Sequence, residues 1–183
     1  MHVAAKPQSA YPWFIRLFFA NQKRKYGQVL IPGMIWGRSP KVFSTLALLF
    51  GALDRKSSPL PPPLRSLITV RVSQINHCEF CCDINASVLM KRGVPEEKVL
   101  ALSGWLDSNL FDDRERAVLA YVEAMTYSDR EVDDNLFADL RPHFNDDGIV
   151  ELTGLIAFQN MSSKFNAALN IAPQGFCAVP ANG

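Results

Sequence analysis

Helix start and stop signals recur along this sequence, and they limit its fold more than any other feature. Pro12 opens a segment that has a basic last turn and is followed by Gly27. Asp112, with Glu115 three residues later, has the spacing of a capping box. Patterns typical of β-strands are sparse by comparison, so the sequence predicts an all-α fold.

These signals predict about eight helices. They cover residues 12–26, 40–53, 64–75, 78–92, a short segment from 95, 112–126, 133–142 and 146–169. Ser39-Pro40 is typical of an N-cap followed by proline at the first helical position. Asp133 is expected to start the seventh helix, and Asp146 or Asp147 is expected to cap the eighth.

Four prolines between Ser57 and Pro63 indicate a rigid linker. We therefore expect an N-terminal helical arm over residues 1–56, a single helical domain over 57–176 and a C-terminal tail over 177–183. The sequence contains no repeat of solenoid length and no low-complexity tract.

The segment that follows the linker fits two patterns. Leu64, Leu67 and Ile68 fit one face of a helix, whereas Ile68, Val70 and Val72 alternate as in a strand. Because no nearby segment offers a partner strand, we interpret residues 64–75 as a helix.

Charge and hydropathy exclude several classes of partner. The net charge of +1 over 183 residues provides no field that would attract nucleic acid. No apolar run reaches the roughly 20 residues that a membrane span requires. The apolar stretch from Trp13 to Ala20 is interrupted by Arg16 and lacks a following cleavage site, so a signal peptide is not predicted. We therefore expect a cytoplasmic protein that binds neither membranes nor nucleic acid. We expect its aromatic N-terminal segment to pack on its own core or on a neighbouring subunit.

Cys78 and Cys81 are the residues that most clearly suggest chemistry. Their spacing places both sulfur atoms on one helix face, close enough to bond. They also lie in the first turn of a predicted helix, where unpaired backbone N–H groups stabilise a thiolate. One sulfur could then attack a peroxide or a disulfide, and the other could resolve the product.

The spacing of this cysteine pair does not by itself establish redox chemistry. Two buried structural cysteines would have the same spacing. A thioredoxin-like site requires a βαβ context, which the sequence lacks. A zinc site would need Cys82 together with Cys177 or His77, in a spacing that matches no usual zinc pattern. We therefore expect no metal and no cofactor.

Three segments together resemble the carboxymuconolactone decarboxylase family, also called AhpD-like. Residues 64–81, LRSLITVRVSQINHCEFC, resemble its core motif, in which one helix leads into a C-x-x-C helix. Residues 113–120 and 150–157 resemble two later helices of the family, and Asn160 and Phe165-Asn166 lie beyond them. The resemblance covers roughly residues 40–175.

The resemblance implies an all-helical fold that assembles into homo-oligomers, as trimers or hexamers or as a dimer. It also implies an alkylhydroperoxidase-type activity, in which Cys81 is the peroxidatic thiol and Cys78 is its disulfide partner. Its small-molecule partners would be a hydroperoxide and a thiol or disulfide reductant.

Two positions depart from the peroxidase motif of this family. The motif has a glutamate twelve residues before the first cysteine, where this chain has Ser66, and a histidine four residues after the second, where it has Asn85. An amide can form hydrogen bonds, but it cannot accept a proton at neutral pH. The sequence thus resembles a subgroup that lacks the relay Glu and His, with Ser66 and Asn85 as possible supporting residues. His77 could act as a base, although it is more typical of a solvent-exposed helix break.

We therefore expect a thiol-based oxidoreductase that reduces hydroperoxides or a partner disulfide. One alternative is a non-catalytic helical oligomer that keeps the fold without the relay. Another is a decarboxylase acting on a small lactone acid, for which Arg65 or Arg71 could bind the carboxylate.

Overall fold

A computed structural model describes residues 1–178 of the chain. Of the predicted tail over 177–183, residues 179–183 lie outside the described residues. Within residues 1–178 the protein contains nine α-helices and no strand, so the predicted all-α fold is confirmed. The helices are α1 Trp13–Tyr26, α2 Ile31–Trp36, α3 Pro40–Leu53, α4 Pro62–Ile75, α5 Glu79–Lys91, α6 Glu96–Leu100, α7 Asp113–Thr126, α8 Asp134–Leu140 and α9 Asp146–Ala168.

Most helix boundaries follow the signals in the sequence. Gly27 ends α1 in the left-handed region, with a φ of 78°, which glycine adopts without steric cost. Asp112 and Glu115 form the predicted capping box of α7, and Asp133 caps α8. Such side chains accept hydrogen bonds from backbone N–H groups that have no partner inside the helix.

Three details differ from the predictions. Asn145, not Asp146 or Asp147, caps α9 by accepting a hydrogen bond from the backbone N–H of Gly148. The two aspartates instead occupy the first turn, where the helix dipole favours negative charge. Ser39 makes no side-chain capping bond, although α3 does begin at Pro40. Helix α2 was not predicted, because Leu30 occupies its N-cap and provides no capping side chain.

Helix α4 lies at the centre of the fold and contacts α5, α7 and α9. Nine of its fourteen residues are buried, which shows why its sequence pattern fits no single helix face. The principal core extends from this helix to Leu119 and Val122 of α7 and to Leu152 and Ile156 of α9.

The N-terminal arm has a small apolar cluster of its own, and its helix α3 also contacts α9. Ile15 and Phe19 of α1 are buried with Tyr11 and with Phe43 of α3. Other aromatic and aliphatic side chains of α1 remain exposed, Trp13 at 72% and Leu17 at 61%. Within residues 1–178, no helix has the length and apolar character needed to cross a bilayer.

The segment after α9 returns to the arm. Gln174 accepts a hydrogen bond from the backbone N–H of Ile31 at 2.8 Å and donates one to Gln28 at 3.1 Å. Asp83 of α5 accepts hydrogen bonds from the backbone N–H groups of Gln174 and Cys177, at 2.8 and 2.7 Å. The arm, helix α5 and the C-terminal segment are therefore joined at one place.

Candidate active site

The two cysteines meet at the start of α5. The chain breaks after α4 at Asn76 and His77, and His77 has a positive φ of 50°. Cys78 then forms the N-cap of α5, and its Sγ accepts a hydrogen bond from the backbone N–H of Cys81 at 3.3 Å. The two sulfur atoms form a disulfide, with Cα atoms 5.2 Å apart. The positive end of α5 therefore stabilises the Cys78 sulfur most directly.

Cys81 has a different polar neighbour. Asn166 of α9 donates a hydrogen bond from Nδ2 to Cys81 Sγ at 3.2 Å. Asn166 is only 2% exposed, and its Oδ1 has no hydrogen-bond partner among the described residues. Next to it, the ring of Phe165 stacks on Trp36 of α2, with ring centroids 3.6 Å apart. The amide is thus held against the sulfur by packing between α9 and the arm.

A cavity of about 600 Å³ lies between the arm and helices α4, α5 and α9. Its walls are largely apolar and include the aromatic side chains Phe18, Tyr26, Trp36, Phe43, Phe50, Phe80 and Phe158. Among the described residues Cys81 lines this cavity, whereas Cys78 does not. A ligand in the cavity would therefore meet the Cys81 sulfur.

The two positions that depart from the peroxidase motif also line the cavity. Asn85 donates a hydrogen bond to Ser73 Oγ at 3.2 Å, and Gln159 donates one to the same oxygen at 3.0 Å. Ser66 lies further along α4, where its Oγ accepts a hydrogen bond from Arg92 at 3.0 Å. The wall beside Cys81 thus presents amides and hydroxyls, which donate and accept hydrogen bonds without titrating at neutral pH.

Three other residues near the cysteine pair in the sequence lie away from this wall. His77 is exposed at the helix break. Cys82 is buried, and burial, together with the negative charge of Glu79, raises the pKa of its thiol to about 12. Asp83 binds the backbone of the C-terminal segment instead of facing the cavity.

Arg65 and Arg71 are both buried and paired with carboxylates. Arg71 binds Glu123 of α7 at 2.5 Å and is not part of the cavity wall. Arg65 binds Asp54 at 3.2 Å and does line the cavity. Of these two arginines, only Arg65 is therefore placed to meet a ligand in the cavity.

Sequence reasoning did not assign a role to Asn166. The residue lies 85 positions after Cys81, and helical periodicity shows only that its segment is buried. Within residues 1–178, no group of three or more His, Cys, Asp or Glu side chains is arranged to hold a metal ion.

The protonation state of Cys82 gives a first testable prediction. We expect iodoacetamide at pH 8 to label Cys177 in the native oxidised protein and to leave Cys82 unmodified. A thiol with a pKa of about 12 supplies about 10³-fold less thiolate at pH 8 than an ordinary cysteine. Peptide mass spectrometry of native and guanidinium-unfolded samples would measure both sites. Labelling of Cys82 at a rate similar to that of Cys177 would contradict the burial of Cys82.

The fold and the cysteine pair match known structures of one class. The AhpD core structure of an uncharacterized peroxidase-related protein from Ralstonia eutropha JMP134 superposes with a TM-score of 0.84 at 23% identity, covering 96% of this chain and 93% of that one. The debrominase Bmp8 superposes with a TM-score of 0.81 at 21% identity, covering 94% and 91%. At these identities the likeness shows the fold alone: the class is that of AhpD-like helical proteins.

Sequence comparison gives the family. Residues 40–124 match the model of the carboxymuconolactone decarboxylase family. The uncharacterized protein YnjA of Escherichia coli strain K12 is 41% identical over 174 residues, which cover 95% of this chain and 96% of that protein. The chain belongs to the carboxymuconolactone decarboxylase family.

Proposed function

We propose that this protein is a thiol-based oxidoreductase that reduces hydroperoxides with the Cys78–Cys81 couple. The observation that carries the proposal is the position of Cys81 in the wall of a large cavity, with Cys78 bonded to it on the side away from that cavity. Both cysteines are otherwise buried, with Cys78 1% and Cys81 3% exposed, so the cavity is the route by which a ligand would reach Cys81.

The first half of the reaction follows from this geometry. In the reduced protein the Cys81 thiolate attacks the terminal oxygen of a hydroperoxide. An S–O bond forms, the O–O bond breaks, and the leaving alkoxide takes a proton to become an alcohol. Cys78 then attacks the Cys81 sulfenic acid, the S–S bond forms, and the released hydroxide takes a proton to become water. The dithiol supplies the two electrons that the peroxide accepts.

The second half requires an external dithiol as reductant. One of its thiolates attacks the Cys81 sulfur, a mixed disulfide forms, and Cys78 leaves as a thiolate. The second thiol of the reductant then attacks the mixed disulfide, which releases Cys81 and leaves the reductant as a disulfide. A leaving thiolate is expelled faster when its own pKa is low, and Cys78 is the sulfur that the start of α5 stabilises. The two cysteines thus have different surroundings that suit the two roles proposed for them.

Neutral amides take the place of a proton relay in this proposal. Asn166 donates a hydrogen bond that stabilises negative charge on Cys81, and Asn85 orders the adjacent wall. Neither amide can accept a proton, and a missing general base costs about 10²–10⁴-fold in rate. We therefore expect slower turnover than in a protein with a complete relay.

The experiment is a count of free thiols. We expect one equivalent of cumene hydroperoxide to remove two thiols per chain from the reduced protein, and a dithiol reductant to restore both. An unchanged thiol count would contradict the proposal and favour a non-catalytic helical protein. Release of carbon dioxide from a small lactone acid, with the thiols unchanged, would favour the decarboxylase alternative.

Two further properties belong to the same proposal. We propose a homo-oligomer, because apolar side chains remain exposed on α1, on α3, where Leu48 is 74% exposed, and on α9, where Val150 is 70% exposed. The family resemblance favours a trimer or hexamer, with a dimer as the alternative. Light scattering from the purified protein tests this.

We also propose a cytoplasmic location, where thiol reductants keep such a pair available for turnover.

A further inference from the structure

Two unpartnered polar atoms lie in residues of the cavity wall. They are Asn166 Oδ1 and Arg65 Nε, the buried side-chain nitrogen and oxygen atoms that have no hydrogen-bond partner within residues 1–178. Asn166 and Arg65 are 2% and 4% exposed. Leaving such a group unpaired in the interior is unfavourable, and more so for a charged group. Their occurrence in one cavity indicates that a ligand with polar groups belongs there.

The end of the cavity around Arg65 is positively charged. Arg65 and Arg92 share one carboxylate, that of Asp54, at 3.2 and 2.8 Å. Ser66 contributes a hydroxyl that accepts a hydrogen bond from Arg92. Two guanidinium groups opposite one carboxylate leave a net charge of about +1 at this end, which suits an anionic group.

Two further cations line the cavity where it meets solvent. Lys25 of α1 and Lys91 of α5 are exposed, and neither forms an ion pair within the described part of the chain. They increase the positive potential at the opening and would attract an anion from solution.

One face of α5 connects the charged end to Cys81. Cys81, Asn85, Val88 and Arg92 all line the cavity and follow one another at intervals of three or four residues. The eleven steps along the chain from Cys81 to Arg92 correspond to about 16 Å along a helix axis. Most of the remaining side chains that line the cavity are apolar or aromatic.

We propose that the cavity selects hydroperoxides that carry an anionic group on a long apolar body, the chemistry of a long-chain fatty-acid hydroperoxide. The carboxylate lies at Arg65, Arg92 and Ser66, and the apolar body lies along the aromatic walls. The peroxide group lies beside Cys81, where its O–H donates a hydrogen bond to Asn166 Oδ1.

This substrate class rests on the proposed function and uses the same two-electron reaction. Cys81 takes the terminal peroxide oxygen, the fatty-acid hydroperoxide becomes a hydroxy acid, and Cys78 closes the disulfide with release of water. The external dithiol then restores both thiols.

The test compares three peroxides on the reduced wild-type protein by stopped-flow fluorescence. They are linoleic acid hydroperoxide, its methyl ester and hydrogen peroxide, each below the concentration at which micelles form. The ester keeps the apolar body and removes the charge. We expect the acid to react about 10–100-fold faster than the ester, and the ester to react faster than hydrogen peroxide, because a hydrogen bond to a charged group contributes more than a neutral one.

Two variants test whether the preference for the acid over the ester depends on the charged end of the cavity. Arg92→Gln removes one cation, and Ser66→Glu adds a carboxylate beside Arg92; each is expected to lower the acid-to-ester ratio about tenfold. Lys164→Gln removes an exposed positive charge outside the cavity wall and should leave the ratio unchanged. If Arg92→Gln and Ser66→Glu do not fold, the comparison of acid and ester on the wild-type protein still decides.

The outcomes separate this inference from the proposed function. Equal rates for acid and ester, or a rate for hydrogen peroxide as high as that for the acid, would overturn the substrate class while leaving hydroperoxide reduction intact. Unchanged thiols with all three peroxides would overturn the proposed function itself.

Discussion

Serine at position 81 is expected to lower the rate of hydroperoxide-dependent oxidation by about 10³-fold or more, because a serine hydroxyl stays protonated at neutral pH and is a far weaker nucleophile than a thiolate. Cys81→Ser should therefore leave the thiol of Cys78 unoxidised by one equivalent of peroxide. Intact-mass spectrometry and stopped-flow fluorescence would measure both effects.

Serine at position 78 should have a different effect. Cys78→Ser keeps the thiol that lines the cavity, so the first oxidation should proceed and stop at a sulfenic acid on Cys81, which dimedone traps. Cys82→Ala is the matched control, because its buried thiol is outside the cavity wall and stays protonated. If dimedone instead trapped a sulfenic acid in Cys81→Ser, and Cys78→Ser did not react, Cys78 would be the attacking cysteine. That result would contradict the proposed roles of the two cysteines.

The second large effect concerns the stability of the central helices. Glu123 of α7 is 3% exposed and accepts hydrogen bonds from Arg71, Trp105 and Arg130, at 2.5, 2.7 and 2.5 Å. Glu123→Gln removes the negative charge and leaves the buried guanidinium of Arg71 without a counter-ion. Breaking a buried pair in this way costs about 3–5 kcal/mol of unfolding free energy. Urea unfolding at pH 7 followed by circular dichroism would measure it.

The dependence of this loss on pH has a definite sign. Burial by itself raises the pKa of Glu123, but the hydrogen bonds from Trp105, Arg71 and Arg130 and the charge of Arg71 outweigh burial, so the pKa lies below its usual value. A lowered pKa gives stabilisation that is complete above the unfolded value of about 4.3 and is lost as the pH falls through the folded value. The difference between wild type and Glu123→Gln should therefore shrink below about pH 4.

A surface ion pair serves as the control for this measurement. Asp146 pairs with Arg141, and both side chains are exposed, at 82% and 62%. Asp146→Asn should cost less than about 1 kcal/mol, because water screens such pairs. An equal loss in Glu123→Gln and Asp146→Asn would mean that Glu123 is not buried in the folded protein.

Local signals in the sequence predicted the helices well because helix ends depend on neighbouring residues. Gly27, the capping box of Asp112 and Glu115, and the cap at Asp133 all act within one turn of the chain. The start of α5 was predicted in the same way, together with the contact between Cys78 and Cys81. The cap of α9 was wrong by one residue, since asparagine and aspartate cap equally well and the three residues are adjacent.

The rest of the candidate site depends on contacts between distant segments. The cavity wall combines residues from α1, α2, α3, α4, α5 and α9, and no periodicity in one segment predicts such a surface. Asn166 illustrates this limit. The sequence predicts that its helix is buried, but it does not predict that its side chain contacts the sulfur of Cys81. The sequence indicated that Arg65 could bind a carboxylate. Its contact with Asp54, and the sharing of that carboxylate with Arg92, could not be predicted, because these two residues lie at the ends of other helices, α3 and α5.

The contact between Gln28 and Gln174 has a consequence for synthesis of the protein. The arm leaves the ribosome long before Asn166 and Gln174 are made, so its apolar side chains initially lack the surface that later covers them. Domains are completed as their last segments emerge. The cavity beside Cys81 can therefore form only after α9 has been translated, and a nascent chain halted before that helix would hold Cys78 and Cys81 without it.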